Sequence, residues 1–407
     1  MKLSEKQKIF LTVIVAALGY FVDVFDLQLF TTVRVSSLKS LGLSLDQITI
    51  VGAQILNWQM AGMLLGGILW GVLGDKKGRT YALFGTILLY SIGNIANGFV
   101  TTIPAYAAAR FFTGFGLAGE VGAGIALVSE LLPKETRGVA TTIVAVSGLV
   151  GSIAAAIIAK HFDWRLTYIG GGILGLLLLF LRIAVHESGI FEAVRQKDDV
   201  RRGHFAMLFN NRARFMRFFC CVAVALPVWF LLGTIVIFSP ELGEALHVGG
   251  SVNTPTSVMF YSVGLTLGGF VSGSLSQYLK DRKKIMAVFI LGAFLTALGI
   301  TFAQNISLSA FYLLIAVSAF FTGFWAVFLA MTAEQFGTNL RATATVSAPN
   351  FVRASTIINT MLLTALKPEF GFVSSVRIIA ILVFCVVFLA LWKLPETFGR
   401  DLDFVEE

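Results

Sequence analysis

Apolar runs long enough to cross a bilayer follow one another along almost the whole chain, more than any water-soluble core can absorb. A spanning helix needs about 20 largely apolar residues. Such runs cover 9–33, 48–73, 81–100, 104–131, 139–159 and 166–186. After a polar stretch they resume at 216–238, 255–278, 285–303, 309–333, 345–366 and 372–393. The run at 9–33 is followed by eleven more and has no convincing cleavage site, so it reads as a first span and not as a leader. Only 13% of the 407 residues are charged, against roughly a quarter in a soluble domain. The expectation is an all-α membrane protein of twelve transmembrane helices in two six-helix bundles. An N-terminal bundle over 1–190, a cytoplasmic linker over 191–215 and a C-terminal bundle over 216–407 with a short tail divide it.

The formal charge of +8 would suggest nucleic acid in a soluble protein. Here Lys and Arg gather in alternate connecting segments. With the N-terminus inside, 22 of the 31 lie on the inner side, five on the outer side and four within spans. The positive-inside rule therefore places both termini in the cytoplasm and leaves nucleic acid out of the expected partners, which are a small-molecule substrate and the lipid bilayer. Cys220, Cys221 and Cys385 lie in or beside apolar runs, and the four histidines are scattered, so neither a disulfide framework nor a metal site is expected. No HExxH, phosphate loop or nucleophile–base pair is present, which argues against an enzyme.

The halves echo each other. Glu130 and Arg137 stand seven apart after the fourth run, and Glu334 and Arg341 stand seven apart after the tenth. GVLGDKKGR (71–79) has a weaker echo in GSLSQYLKDRK (273–283). Parallel half-repeats of six helices imply two bundles that let a site face either side in turn.

GVLGDKKGR resembles the G-x-L-x-D-x-x-G-R loop between the second and third helices of the major facilitator superfamily, at Gly71, Leu73, Asp75, Gly78 and Arg79. RFFTGFGLAGE (110–120), ELLPKETRG (130–138), HESGIFE (186–192) and PETFGRDLD (395–403) are similar to segments of its metabolite:proton symporters and sugar porters. FVDVFD (21–26) resembles the paired-aspartate segment of organic-acid symporters. The resemblance covers essentially the whole chain. It departs from the pattern at Gln277, which replaces the second-half counterpart of Asp75. It implies the major facilitator fold, alternating access, no cofactor beyond the transmembrane proton gradient, a monomer, and a multi-pass location in a bacterial inner membrane.

Charge inside the bilayer costs roughly 2.5–3.5 kcal/mol on insertion scales, so survivors need a reason. Asp23 and Asp26 share one face of the first span. By the helical rise, Asp26 lies roughly 10 Å below the outer end and Arg110 of the fourth span roughly 8–9 Å below it. The resemblance assigns such an aspartate–arginine pair to proton coupling. Burial favours the protonated carboxyl and a nearby guanidinium the ionised one, so separating the partners switches proton affinity. A permanent bracing pair is the other reading, and two close carboxylates also suit a sodium ion. Glu120 reads as a second protonation site, a substrate contact or a carboxyl tied into its glycine-rich helix.

Arg353, with Asn350 beside it on the eleventh span, suits a carboxylate or phosphate on the substrate. A pair with an acid or helix carbonyls is the alternative for it. Gln54, Asn57, Tyr261 and Trp325, with Gln59 and Trp229, are further cavity candidates. Asp75, Arg79, Glu130, Arg137, Glu334 and Arg341 stand at inner helix ends, where they suit a gating ion-pair network. The expected function is proton symport of a small polar metabolite, an organic acid or a sugar-like acid. The rivals are a proton-driven exporter of drugs or siderophores and a non-transporting receptor. The fifth run has Gly148 and Gly151 but no proline, against the glycine-proline motif of drug antiporters.

Overall fold

The computed structural model describes residues 5–77, 79–118, 134–187 and 205–399. All regular structure among them is helical, apart from an isolated parallel bridge between Gly249 and Ser307. Two compact units divide the chain, one of residues 1–42 and 61–201, the other of 43–60 and 202–407.

The first unit holds α1 (Glu5–Ser40), the end of α2 (Leu45–Lys77), α3 (Arg79–Asn97), α4 (Ile103–Leu117), α5 (Lys134–His161) and α6 (Trp164–Glu187). α1 packs along α5 and α6, and α3 packs against α4 and α6. Small residues set these distances. Gly62 and Gly66 of α2 lie directly on the α4 carbonyls of Phe111 and Phe115, leaving no room for a Cβ. This is the small-xxx-small contact of membrane helices, where apolar packing alone gives no preference for a neighbour over lipid.

The second unit holds the start of α2, then a 3-10 turn (Phe205–Leu208), α7 (Arg212–Val224) and α8 (Leu226–Phe230). A π-helical turn (Leu231–Val236) leads to α9 (Ser239–Ala245), α10 (Thr254–Leu279), α11 (Arg282–Phe302), α12 (Leu308–Thr322), α13 (Trp325–Gln335) and α14 (Thr338–Lys393). The contact between α10 and α12 repeats the one just described. Gly264 and Gly268 sit on the carbonyls of Ala316 and Phe320, 202 positions beyond Gly62 and Gly66. The half-repeat read from charged residues is thus present in the backbone packing as well.

Two of the breaks among the described residues have a clear local reason. Pro227 cannot donate to the helical ladder, and the axis bends 43° between 212–224 and 226–236 before it relaxes into the π turn. α14 runs for 56 residues, which at 1.5 Å per residue is far longer than a bilayer core is thick. It is broken at Gly371, whose φ of 74° and ψ of 171° fall in a region open essentially to glycine alone. Helix starts are capped by side chains: Thr102, Asn211, Asn253, Asp281 and Ser307 each accept a backbone N–H of the first turn. Among the described residues seven helices are long and apolar enough to span a membrane, and eight if the bent segment counts as one.

Candidate functional site

The core of the first unit contains charge. Asp26 of α1 and Arg110 of α4 are both fully buried and lie within electrostatic reach of one another. They do not close into an ion pair; the Asn94 side chain of α3 lies beside the Asp26 carboxyl as well, but no well-formed hydrogen bond reaches either of its oxygens. Arg110 instead donates from Nη1 to Asn94 Oδ1 on α3 at 3.3 Å. Its guanidinium lies over the rings of Phe30 at 5.7 Å and Tyr168 at 5.3 Å. A cation over a desolvated aromatic face gains up to about 2 kcal/mol, enough to compete with a carboxylate that is not in contact.

Neighbouring residues explain how a carboxylate fits there. α6 carries the run Gly170-Gly171-Gly172, and a Cβ on Gly171 would stand 2.8 Å from Asp26 Oδ1 and 2.9 Å from Leu29 Cδ1. Above it on α6, Tyr168 is fully buried, and its hydroxyl shares a 2.8 Å hydrogen bond with that of Tyr106 on α4. The Tyr106 hydroxyl also donates to Ser37 Oγ at 3.2 Å. Asp23 is half-buried one turn before Asp26 on α1, with Oδ1 enclosed and without a hydrogen bond. Glu120 lies outside the described residues.

In the second unit Arg353 of α14 is a buried charge within the apolar helices, 8% exposed. It donates from Nη1 to Asn350 Oδ1 at 3.4 Å and covers the Trp229 ring of α8 at 5.6 Å. Next to Trp229 comes the π turn, where Gly233 lies against the side chain of Thr356, one turn beyond Arg353. Thr234 Oγ1, Thr356 Oγ1 and Asn359 Nδ2 are buried here without hydrogen-bond partners. Buried polar atoms in native proteins are nearly always satisfied, so a cluster of unsatisfied ones beside a buried guanidinium has the character of a binding surface.

The remaining sequence candidates spread around this core. Asn57 accepts a hydrogen bond from Thr360 Oγ1 at 2.5 Å within the second unit. Gln59 buries both amide atoms without a partner, and Tyr261 is buried on α10. Trp325 is half-buried at the start of α13, packed on Phe328 at 5.0 Å, while Gln54 is exposed. Sequence reasoning missed Phe30, Asn94, Tyr106 and Tyr168 around Arg110, and Thr234, Thr356 and Asn359 beside Arg353. The stripe Asn350, Arg353, Thr356 and Thr360, spaced three and four along one helical face, is the signal that points to part of the second group.

Of the gating candidates, Glu130 lies outside the described residues, as do the side chains of Asp75, Arg79, Arg137 and Arg341. Glu334 takes its ion-pair partner from α11. Arg282 meets it bidentately, Nε to Oε2 at 2.6 Å and Nη2 to Oε1 at 2.7 Å. Thr397 Oγ1 adds a bond to Glu334 Oε2 at 2.7 Å. Glu396 of the same PETFG segment accepts the backbone N–H groups of Arg282 at 3.1 Å and Lys283 at 2.7 Å, holding the segment onto the start of α11. Gln277, where the loop motif departs from its first-half pattern, is exposed on α10 and outside this cluster. At the same end, the Lys284 side chain beside Asp281 holds that carboxyl down at about 2.

Long apolar helices packed through glycine contacts, with a carboxylate and several guanidinium groups buried inside them, define a polytopic α-helical membrane protein of the transporter kind. A model of the Major Facilitator Superfamily matches residues 16–358, and the chain belongs to that superfamily. It is 28% identical to a putative niacin/nicotinamide transporter NiaP of Bacillus subtilis (strain 168), over 96% of each chain. It is 26% identical to a gentisate transporter of Corynebacterium glutamicum, over 80% of this chain and 75% of that one. A crystal structure of a D-xylose-proton symporter superposes with a TM-score of 0.69 at 18% identity, covering 97% of this chain and 99% of the other, a likeness of fold.

Proposed function

We propose that this chain carries a small organic anion across the membrane together with a proton, by alternating access. Asp26 takes the proton and Arg353 holds the anionic group. The observation that carries the reading is the apposition of Asp26 and Arg110 in the core of the first unit, close enough to interact and held apart from direct contact. A pair that held its helices together in this state would close into direct contact, as Arg282 and Glu334 do in the same protein. A pair whose members part and meet changes the proton affinity of the carboxyl between its two states.

The arginine, the indole of Trp229 and the unsatisfied Thr234, Thr356 and Asn359 suit a flat carboxylate with a polar substituent at its far end. Relatives named for niacin, gentisate and benzoate put aromatic carboxylates first among the anions to try. The proposed setting is twelve spans with both termini in the cytoplasm, a monomer, in a bacterial inner membrane. Arg282, Glu334, Thr397 and Glu396 are the proposed gating cluster of the second unit.

The test is reconstitution into liposomes that hold a pH-sensitive dye. Benzoate, gentisate, nicotinate, nicotinamide and xylose are added outside in turn. Acidification of the lumen that follows a carboxylate, and is absent with nicotinamide, supports anion symport. Uptake of a carboxylate with no proton movement removes the coupling, and proton movement with xylose alone removes the anion.

A further inference from the structure

Arg110 has a second set of partners that neither symport nor anion binding calls for. Its guanidinium lies over two ring faces, Phe30 from α1 and Tyr168 from α6. Tyr168 is within electrostatic reach of both Arg110 and Asp26. The Tyr168 ring is not loosely placed. Its hydroxyl is tied to Tyr106, Tyr106 to Ser37 Oγ, and the Ser37 hydroxyl to the α1 carbonyl of Arg34 at 3.1 Å. The Tyr106 ring stacks on Trp164 at 5.8 Å with an interplanar angle of 26°, and Trp164 Nε1 donates to Ser40 Oγ at 2.8 Å. Three helices thus cooperate to present one aromatic face to one guanidinium.

We propose that Phe30 and Tyr168 form an aromatic resting place for Arg110 that competes with Asp26, and that Tyr106 and Ser37 position Tyr168 for this role. The guanidinium then has two alternatives of comparable strength inside the bundle. Over the rings it leaves the Asp26 carboxyl to bind a proton. Next to Asp26 it favours the carboxylate and expels the proton. A ring face is suited to the first task because it attracts a cation without offering an acceptor for a proton. The inference rests on the reading of Asp26 as the proton carrier and makes Tyr168 a positioning residue.

Among the described residues the ionisable groups around this centre are few. α1 contributes Asp23 and Asp26, with Arg34 further along the same helix. α4 contributes Tyr106, α6 contributes Tyr168, and α3 contributes Tyr90 and the neutral Asn94. Between Val146 and His161 of α5, which packs on α1, the ionisable residues are Lys160 and His161 at its end.

The experiment measures proton-driven carboxylate uptake against external pH in liposomes carrying Tyr168→Leu, Tyr168→Phe, Phe30→Leu or Asp26→Asn. With the Tyr168 ring gone, Arg110 spends more time at Asp26, the carboxyl binds its proton less readily, and half-maximal uptake moves to more acid pH. The expected shift for Tyr168→Leu is about one pH unit, a tenfold loss of proton affinity. Tyr168→Phe keeps the ring and shifts less, and Phe30→Leu shifts in the same direction as Tyr168→Leu. A merely structural role would lower the amount of uptake at every pH and leave the midpoint in place. An unmoved midpoint in whichever of the two leucine variants folds and exchanges substrate, with Asp26→Asn unable to accumulate it, overturns the inference alone. Accumulation by Asp26→Asn overturns the coupling reading beneath it.

Discussion

Three adjacent glycines in α6 offer a controlled perturbation of the proton site, because an added methyl meets a different obstacle at each. At Gly170 an alanine Cβ has nothing within 4 Å. Gly170→Ala is expected to leave transport unchanged and to stabilise the helix by up to about 1 kcal/mol through propensity. At Gly171 the Cβ stands 2.8 Å from Asp26 Oδ1, 2.9 Å from Leu29 Cδ1 and 3.1 Å from Phe25 Cε1. All three are ends of α1 side chains and can yield, so the stability cost is expected at the low end of overpacking, about 1 kcal/mol. To regain ordinary contact the carboxylate must retreat by about 0.6 Å, from 2.8 to 3.4 Å. Displacements on the order of 1 Å at a reacting group can cost on the order of 100-fold in rate, so roughly a tenfold loss of proton-driven uptake is expected. At Gly172 the Cβ meets the Ser91 carbonyl at 2.6 Å and the Ile95 amide at 3.0 Å, both backbone of α3. There the helix itself must move, at about 1–3 kcal/mol, and thermal stability is expected to fall first. The assays are thermal melting in detergent and proton-driven uptake in liposomes on the same preparations. Parental uptake by Gly171→Ala, or a loss in Gly170→Ala as large as in Gly171→Ala, would refute the placement of Asp26 against α6.

Further outcomes follow from the same geometry. Asp26→Asn is expected to abolish proton-driven accumulation while sparing exchange of substrate across the membrane, read as counterflow of labelled carboxylate. Arg353→Ala is expected to weaken binding of a carboxylate by roughly 10- to 100-fold, the about 1.5–3 kcal/mol of a charge-assisted bond. The corresponding amide should lose much less, and equal losses for both would remove Arg353 from anion recognition. Glu334→Gln leaves Arg282 with a neutral partner and is expected to lower the melting temperature, with Arg282→Gln, Glu334→Gln together costing less than the sum of the two. Asp281 has its carboxyl held at about 2 against an ordinary 3.8. Its depressed value means that its stabilising contribution is present above pH 3.8 and is lost as pH falls through about 2. The melting difference between the parent and Asp281→Ala should therefore shrink over that interval, and a difference that persists below pH 2 would contradict the pairing with Lys284.

Residues that violate the solvent they sit in were the ones legible from sequence. Asp26, Arg110 and Arg353 stand out because charge in an apolar run is costly, and the rise per residue alone set Asp26 and Arg110 at matching depths. The membrane helices and the half-repeat were equally open to reading, since both are patterns of residue type along the chain. Thr234 and Asn359 were not, and Thr356 only as one position of the stripe on α14, because threonine and asparagine recur throughout spans and satisfy themselves on their own helix, as Thr360 does on the carbonyl of Thr356. Only the three-dimensional accounting of who lacks a partner sets them apart. The partnership of Glu334 with Arg282 crosses 52 positions, and the seven-residue spacing to Arg341 drew attention elsewhere. Tyr168 and Phe30 were hidden for a third reason: their role depends on where one guanidinium points, which no periodicity encodes.

The joint at Gly371 has a mechanical meaning. Two connections in the second unit, 246–253 and 303–307, are loops of several residues, which absorb a tilt on one side before it reaches the other. Between Phe370 and Phe372 there is a single residue, in a conformation that almost no other amino acid can adopt. Such a joint has no slack. A rotation of the arginine-bearing segment is expected to carry into the segment ending at Lys393, and from there to the Glu396 clasp on the start of α11. Reporter groups at Phe370 and Phe372 would move in step, and a short insertion between them would let the anion site and the clasp drift out of phase.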